Sequence, residues 1–212
     1  MAPAFHTRIR DNLAVRLTQR MFNNAYHVLR LPALTSKTRE TAFQILNRTI
    51  WTNNKAFKSR MKPAPTCDRC ESTETMEHLL CECENYSIPL WTKLADSWTR
   101  LLNDKSLEPV PRVELGQTNV IYNIPHPSLI LHIHDQATRN ALLLLIQEVK
   151  RDIFYRRMNL PPSAQQPTDP RRITAHIDSA IKRLCSYLEY IGFVKFSKAI
   201  TTLQRLQELN LA

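Results

Sequence analysis

The sequence predicts a mostly α-helical protein, an irregular helical bundle interrupted by one compact Cys/His-rich segment. Three observations carry that expectation. Only two of the 212 residues are glycine, against a usual share of about 7%, so tight hairpins and an extensive antiparallel sheet are disfavoured. Apolar residues recur at three- and four-residue steps through most of the chain. The Leu142-Leu143-Leu144-Leu145-Ile146 run covers every face of a helix, which fits an element buried on all sides.

In chain order, Ile9, Leu13, Leu17, Met21, Ala25 and Val28 form one amphipathic stripe, placing a helix over about 7–30. A second is expected from about Lys37 to Trp51, with Phe43, Leu46 and Ile50 on one side. Residues 74–83 read as a short helix. Pro89-Leu90-Trp91 opens another to about Leu102, burying Leu94, Trp98 and Leu101. Four prolines make 105–127 a long loop, with one short strand expected around Val120-Ile121-Tyr122. Asp135 suits an N-cap for a helix over Gln136–Met158 whose end turns basic at Lys150, Arg151, Arg156 and Arg157. Pro161–Pro167 reads as a linker, and two further helices follow over about 173–191 and 195–209. The resulting organisation is a helical region over 1–105, a Pro-rich loop over 106–127, and C-terminal helices over 128–212 with a linker at 159–172.

The most informative motif is Cys67-x2-Cys70-x7-His78-x4-Cys83. Four donors of this type within seventeen residues match the ligand set of a structural zinc site, in which every coordination position is filled by protein and none is left for a catalytic water. The motif is therefore expected to be a small zinc knuckle (67–83) inserted between helices, with Zn2+ as its cofactor. The fourth ligand is ambiguous. On a regular helix Cys83 lies roughly 140° round from His78, whereas Cys81 is better placed; Cys83 is preferred because zinc sites tolerate such spacings and helices fray at their ends. An odd number of cysteines and the lack of a secretory signal argue against a disulfide framework.

Several function classes fall away. With two glycines, phosphate-binding loops and dinucleotide fingerprints have no material. No stretch reaches eighteen uncharged apolar residues, so no membrane span is expected. There is no Asp-Asp dipeptide and no carboxylate constellation to hold the metal ions of a polymerase, nuclease or RNase H. No enzyme activity and no small-molecule substrate are expected, and an intracellular location, nuclear or cytoplasmic, is.

Cys67-x2-Cys70, Glu74-Thr75-Met76-Glu77-His78-Leu79-Leu80, Cys83-Glu84-Asn85-Tyr86-Ser87 and Trp91 together resemble the C-terminal zinc-binding (CCHC) region of LINE-type non-LTR retrotransposon reverse transcriptases. Phe43–Asn53 resembles the helix that precedes the knuckle there. The likeness covers about 36–105. It implies a role in binding the element's RNA or target nucleic acid beside a reverse transcriptase domain that this chain lacks.

The charge map sharpens that expectation. The formal net charge is +10, which attracts polyanions. The knuckle is acidic, with Asp68, Glu71, Glu74, Glu77, Glu82 and Glu84 against Arg69 alone. Residues 36–62 carry Lys37, Arg39, Arg48, Lys55, Lys58, Arg60 and Lys62 against Glu40 alone. The expected nucleic-acid interface, RNA ahead of DNA, is this basic helix-and-loop arm, with Trp51 and Phe57 placed to stack on unpaired bases. The competing reading is a zinc-stapled protein-interaction module that docks through the acidic knuckle and the Trp91 helix. A relic with no selected function is the third. His132, His134 and Asp135 are a weaker metal-ligand cluster, and Cys185 reads as a packed small residue.

Overall fold

The computed structural model describes residues 25–105, 109–124, 135–159 and 169–211. The helix expected over 7–30 lies outside them except for its last residues, as do His132, His134 and the Pro161–Pro167 linker. Among the described residues the protein is mostly α-helical, as the sequence predicts, and contains an isolated antiparallel bridge between Thr66 and Thr73 but no strand.

After a 3-10 turn, Val28–Arg30, helix α1 spans Ser36–Leu46 and α2 spans Asn53–Lys58. Threonines start both, because their hydroxyls satisfy amides that have no partner within the first turn. Thr35 accepts from the Thr38 amide and Thr52 from the Lys55 amide. The expected single helix from Lys37 to Trp51 breaks at Leu46. Arg48 turns left-handed (φ 55°), its amide bonds the Ile45 carbonyl, and the Thr49 amide bonds Gln44. That is a Schellman closure. α2 ends the same way: Arg60 has φ 58° and the Met61 amide reaches the Ala56 carbonyl at 2.8 Å. In so glycine-poor a chain, arginine fills a conformation that glycine usually supplies.

Helix α3, Ser87–Lys105, starts two residues before Pro89 and buries Leu90, Trp91, Leu94, Trp98 and Leu101. The strand expected around Val120 is instead a one-turn helix, α4, Gln117–Val120. Its amide groups are closed by i→i+4 bonds such as Val120 to Gly116 (3.0 Å), and Val120, Ile121 and Tyr122 are all buried. Helix α5, Gln136–Asn159, is capped by Asp135 as expected; its carboxylate accepts from the Thr138 amide at 2.9 Å.

The two C-terminal helices expected from the sequence are present and follow one another directly across a kink; together they are labelled α6, Pro170–Leu211. The bend is at Gly192, whose φ of 152° only glycine adopts without strain. Asp169, read from sequence as a linker end, initiates α6. Its carboxylate accepts from the Arg171 amide at 2.9 Å, and Pro170 occupies the first helical position, where no amide is needed.

Helix α5 is the centre of the body. Leu142 through Ile146 are buried on every side, packed against α6 and α1, while α3 packs on α6. One hydrophobic core runs from Ile45 and Ile50 through Met76, Leu79 and Leu80 of the Cys/His segment to Ile200, Leu203 and Leu206. The Cys/His segment thus contributes to the same core as the long helices. No described helix is long and apolar enough to cross a membrane.

Candidate metal centre and its basic arm

The centre is built from a small loop and one distorted helical turn. In the loop, the Cys67 amide bonds the Ser72 carbonyl at 2.7 Å, the Glu71 amide returns to Cys67 at 3.1 Å, and Glu71 takes a left-handed φ of 62°. This turn aims both thiols of the Cys67/Cys70 pair to one side. The other two donors come from His78–Glu82, a single π-helical turn, with Cys83 following it.

The π turn brings Cys83, rather than Cys81, to the other three donors. Its diagnostic bond is from the Cys83 amide to the His78 carbonyl, 2.9 Å, five residues apart rather than four. Widening the helix to about 4.4 residues per turn brings residues five apart to within roughly 50° of one another, instead of about 140°. The sequence-based reason given for Cys83, a fraying helix end, is replaced by a specific geometry. Cys81 is turned the other way, packed against the main core, where burial pushes its thiol up.

The ligand atoms of Cys67, Cys70, His78 and Cys83 all lie within 4.8 Å of one another. The Cys83 and Cys70 sulfurs are 3.8 Å apart, and the Cys70 sulfur is 3.1 Å from His78 Nε2. Around one Zn2+ with bonds of about 2.3 Å to sulfur, the edge of a tetrahedron is ~3.8 Å. The cluster therefore fits a metal ion, and no disulfide competes for the cysteines. Without metal, the hydrogen bond from Cys83 pulls the Cys67 thiol down to about 4 and the same contact, with burial, pushes Cys83 up.

Conserving the wide turn requires extra bonds. Ser87 Oγ accepts from the Cys83 amide at 2.9 Å. Trp91 Nε1 donates to the Leu80 carbonyl at 2.6 Å, satisfying a backbone group inside the turn. Trp91 is 3% exposed, so its indole packs inside the body, while Asp68, Glu71, Glu82 and Glu84 of the knuckle and Ile88 of α3 stay on the surface.

The arm is fastened to the centre through α2. The Asn53 amide donates to Glu74 Oε1 and its side-chain amide to the Thr66 carbonyl, both at 2.7 Å. Glu74, 1% exposed, also receives Arg157 of α5 in a buried ion pair at 2.8 Å. Sequence reasoning placed Glu74 on an exposed acidic surface and Arg157 on a basic helix end. The structure joins them across the body instead, and only a pattern linking positions 83 residues apart could have signalled it.

The predicted nucleic-acid residues divide into two groups. Arg39 donates to the carbonyls of Leu29, Leu31 and Leu34. Arg48 pairs with Glu77 at 2.5 Å and donates to Tyr122 Oη at 2.9 Å. Lys55 donates to the Arg48 and Ile50 carbonyls at 2.5 and 2.9 Å, and Lys62 lies 3.7 Å from Asp68. These four hold the arm together. Lys37, Lys58 and Arg60 are exposed, as are Trp51, Phe57 and Met61.

A buried polar chain went unnoticed in the sequence. Tyr86 Oη lies 2.9 Å from His176 Nδ1, and His176 Nε2 3.0 Å from Asp152. Arg183 reaches the same carboxylate at 2.6 Å. Burial pushes the Asp152 carboxyl up, but His176 and Arg183 outweigh it and hold it at about 2. Arg69 of the knuckle stacks over the Tyr86 ring, 3.8 Å from its centroid. The chain thereby ties the Cys/His segment to α5 and α6. Nearby, Lys150 is fully buried, its amine donating to Asn123 Oδ1 at 2.7 Å, and burial holds it down at about 7.

Fold and site together define a mostly helical protein with a four-donor Cys/His centre set into its core. Neither protein-family models, nor curated proteins, nor solved structures give a match to this chain.

Proposed function

We propose that this chain is a non-catalytic, zinc-stabilised nucleic-acid-binding module, RNA ahead of DNA, akin to the C-terminal region of LINE-type reverse transcriptases. Cys67, Cys70, His78 and Cys83 would hold one Zn2+. The ion's contribution is cross-linking: three thiolates and an imidazole fill a tetrahedral shell and fix the loop to the π turn.

The observation that carries the reading is the attachment of α2 to the Cys/His segment through Asn53, Glu74 and Thr66. The anchored segment presents Lys58 and Arg60 outward beside exposed Trp51 and Phe57. Cations contact phosphates with little sequence preference, and aromatic faces stack on unpaired bases. The reverse transcriptase domain implied by the family likeness would be a partner on another chain or segment.

The test is a titration of zinc-loaded protein with single-stranded RNA and duplex DNA at two salt concentrations. Binding that weakens steeply with salt supports the reading. Absence of binding to either polymer at low salt would refute it.

A further inference from the structure

Helices α1, α5 and α6 enclose an open cleft of about 750 Å³. Lys37, Glu40 and Gln44 lie on one face of α1, at three- and four-residue spacing, and form one wall. Arg151, Tyr155 and Arg156 of α5 form the other, and Arg183 of α6 closes the cleft beside Asp152. Four cations face two carboxylates, a surplus of 4 − 2 = +2. The negative charge of Asp152 is already shared among Arg183, His176 and Arg151. Lys37 and Arg156, by contrast, make no ion pair among the described residues.

The lining is not merely charged. Tyr155 is 62% exposed and Met158 50%, so the same cleft lining also offers an apolar and aromatic surface. Small anions do not need such a surface. A polymer that alternates phosphates with planar bases does, because cations track its backbone while aromatic faces receive its bases. Bases are available for that only when unpaired.

We propose that this cleft is the seat of a single-stranded nucleic acid, with Lys37 and Arg156 on phosphates and Tyr155 stacked on a base. The inference rests on the nucleic-acid reading above and moves its main site from the exposed end of the arm to the α1–α5 wall. Lys58 and Arg60 then act as outlying contacts.

The test uses the full zinc-loaded chain and a short oligouridylate, with a duplex DNA of equal length as comparison. Three sets of variants are compared: Lys37→Ala with Arg156→Ala, Lys58→Ala with Arg60→Ala, and Tyr155→Ala beside Tyr155→Phe. Unchanged circular dichroism and metal content certify each fold. Loss of two phosphate contacts flattens the slope of log affinity against log salt by about 1.4, so the first pair is expected to do so and to weaken binding at least about tenfold. Tyr155→Ala is expected to weaken the oligonucleotide about tenfold and Tyr155→Phe to keep it. If the Lys37/Arg156 pair binds as the parent does while the Lys58/Arg60 pair fails, the cleft is wrong and the nucleic-acid reading stands. If the parent protein binds neither polymer, both are wrong, and capture of a polyglutamate peptide in the same assay would assign the cleft to an acidic protein.

Discussion

The Cys83 amide donates to the His78 carbonyl at 2.9 Å, and this one bond brings Cys83 rather than Cys81 beside the other three donors. An α-helical turn would have bonded residue 82 there and left Cys83 on the wrong side. The i→i+5 bond swings Cys83 toward Cys70 and turns Cys81 into the core. Cys81→Ser is accordingly expected to retain one zinc per chain and Cys83→Ser to lose it, as read by metal analysis of the purified variants. Retention by Cys83→Ser with loss by Cys81→Ser would reverse the assignment.

Metal removal is expected to unfold more than the knuckle. Sequence spacing alone suggests a local loss over about 60–90, with the remaining helices persisting. Met76, Leu79 and Leu80, however, pack in the main core, and structural zinc contributes on the order of 10 kcal/mol in small fingers. Chelation or Cys67→Ser should lower the thermal midpoint of the whole protein in a single transition. Two separate transitions, with helices α5 and α6 unaffected, would show that the core is divided.

The pair Glu74–Arg157 is expected to matter for stability rather than for binding. Both side chains are under a tenth exposed, and removing one partner leaves the other charge buried. Arg157→Ala should cost about 3 kcal/mol in urea unfolding. A cost below about 1 kcal/mol would mean that the pair is solvated in solution.

Lys150 provides a pH signature. Burial lowers its amine from 10.5 to about 7, so between those values the unfolded chain binds more protons than the folded one, and stability rises with pH. Below about 7 both states carry the proton and the burial penalty is complete. The groups facing the amine are Asn123 and the Cys81 thiol, neither of them a carboxylate. Lys150→Met should therefore stabilise the protein by several kcal/mol below pH 7, with the gain shrinking toward pH 10. A pH-independent difference between variant and parent would exclude this origin.

The sequence made the helices legible because their apolar residues repeat at helical spacing and their caps are local: Asp135 and Thr138 sit three residues apart. The four ligands were legible because their donors are close in sequence. The helix end at Arg48 was not, since nothing in an arginine announces a left-handed φ; the surroundings that hold it, Tyr122 and Glu77, come from elsewhere in the chain. The basic arm was only half legible. Charge can be counted from composition, but whether Lys55 faces solvent or the Ile50 carbonyl depends on the fold. The Tyr86–His176–Asp152 chain spans three distant segments and has no local pattern at all.

The centre itself is best tested by X-ray absorption at the zinc edge of the purified 212-residue chain. The geometry of Cys67, Cys70, His78 and Cys83 is expected to give three sulfurs at about 2.3 Å and one nitrogen at about 2.0 Å, with no water in the shell. A shell with two sulfurs, or one expanded by oxygen, would contradict a closed centre completed by Cys83.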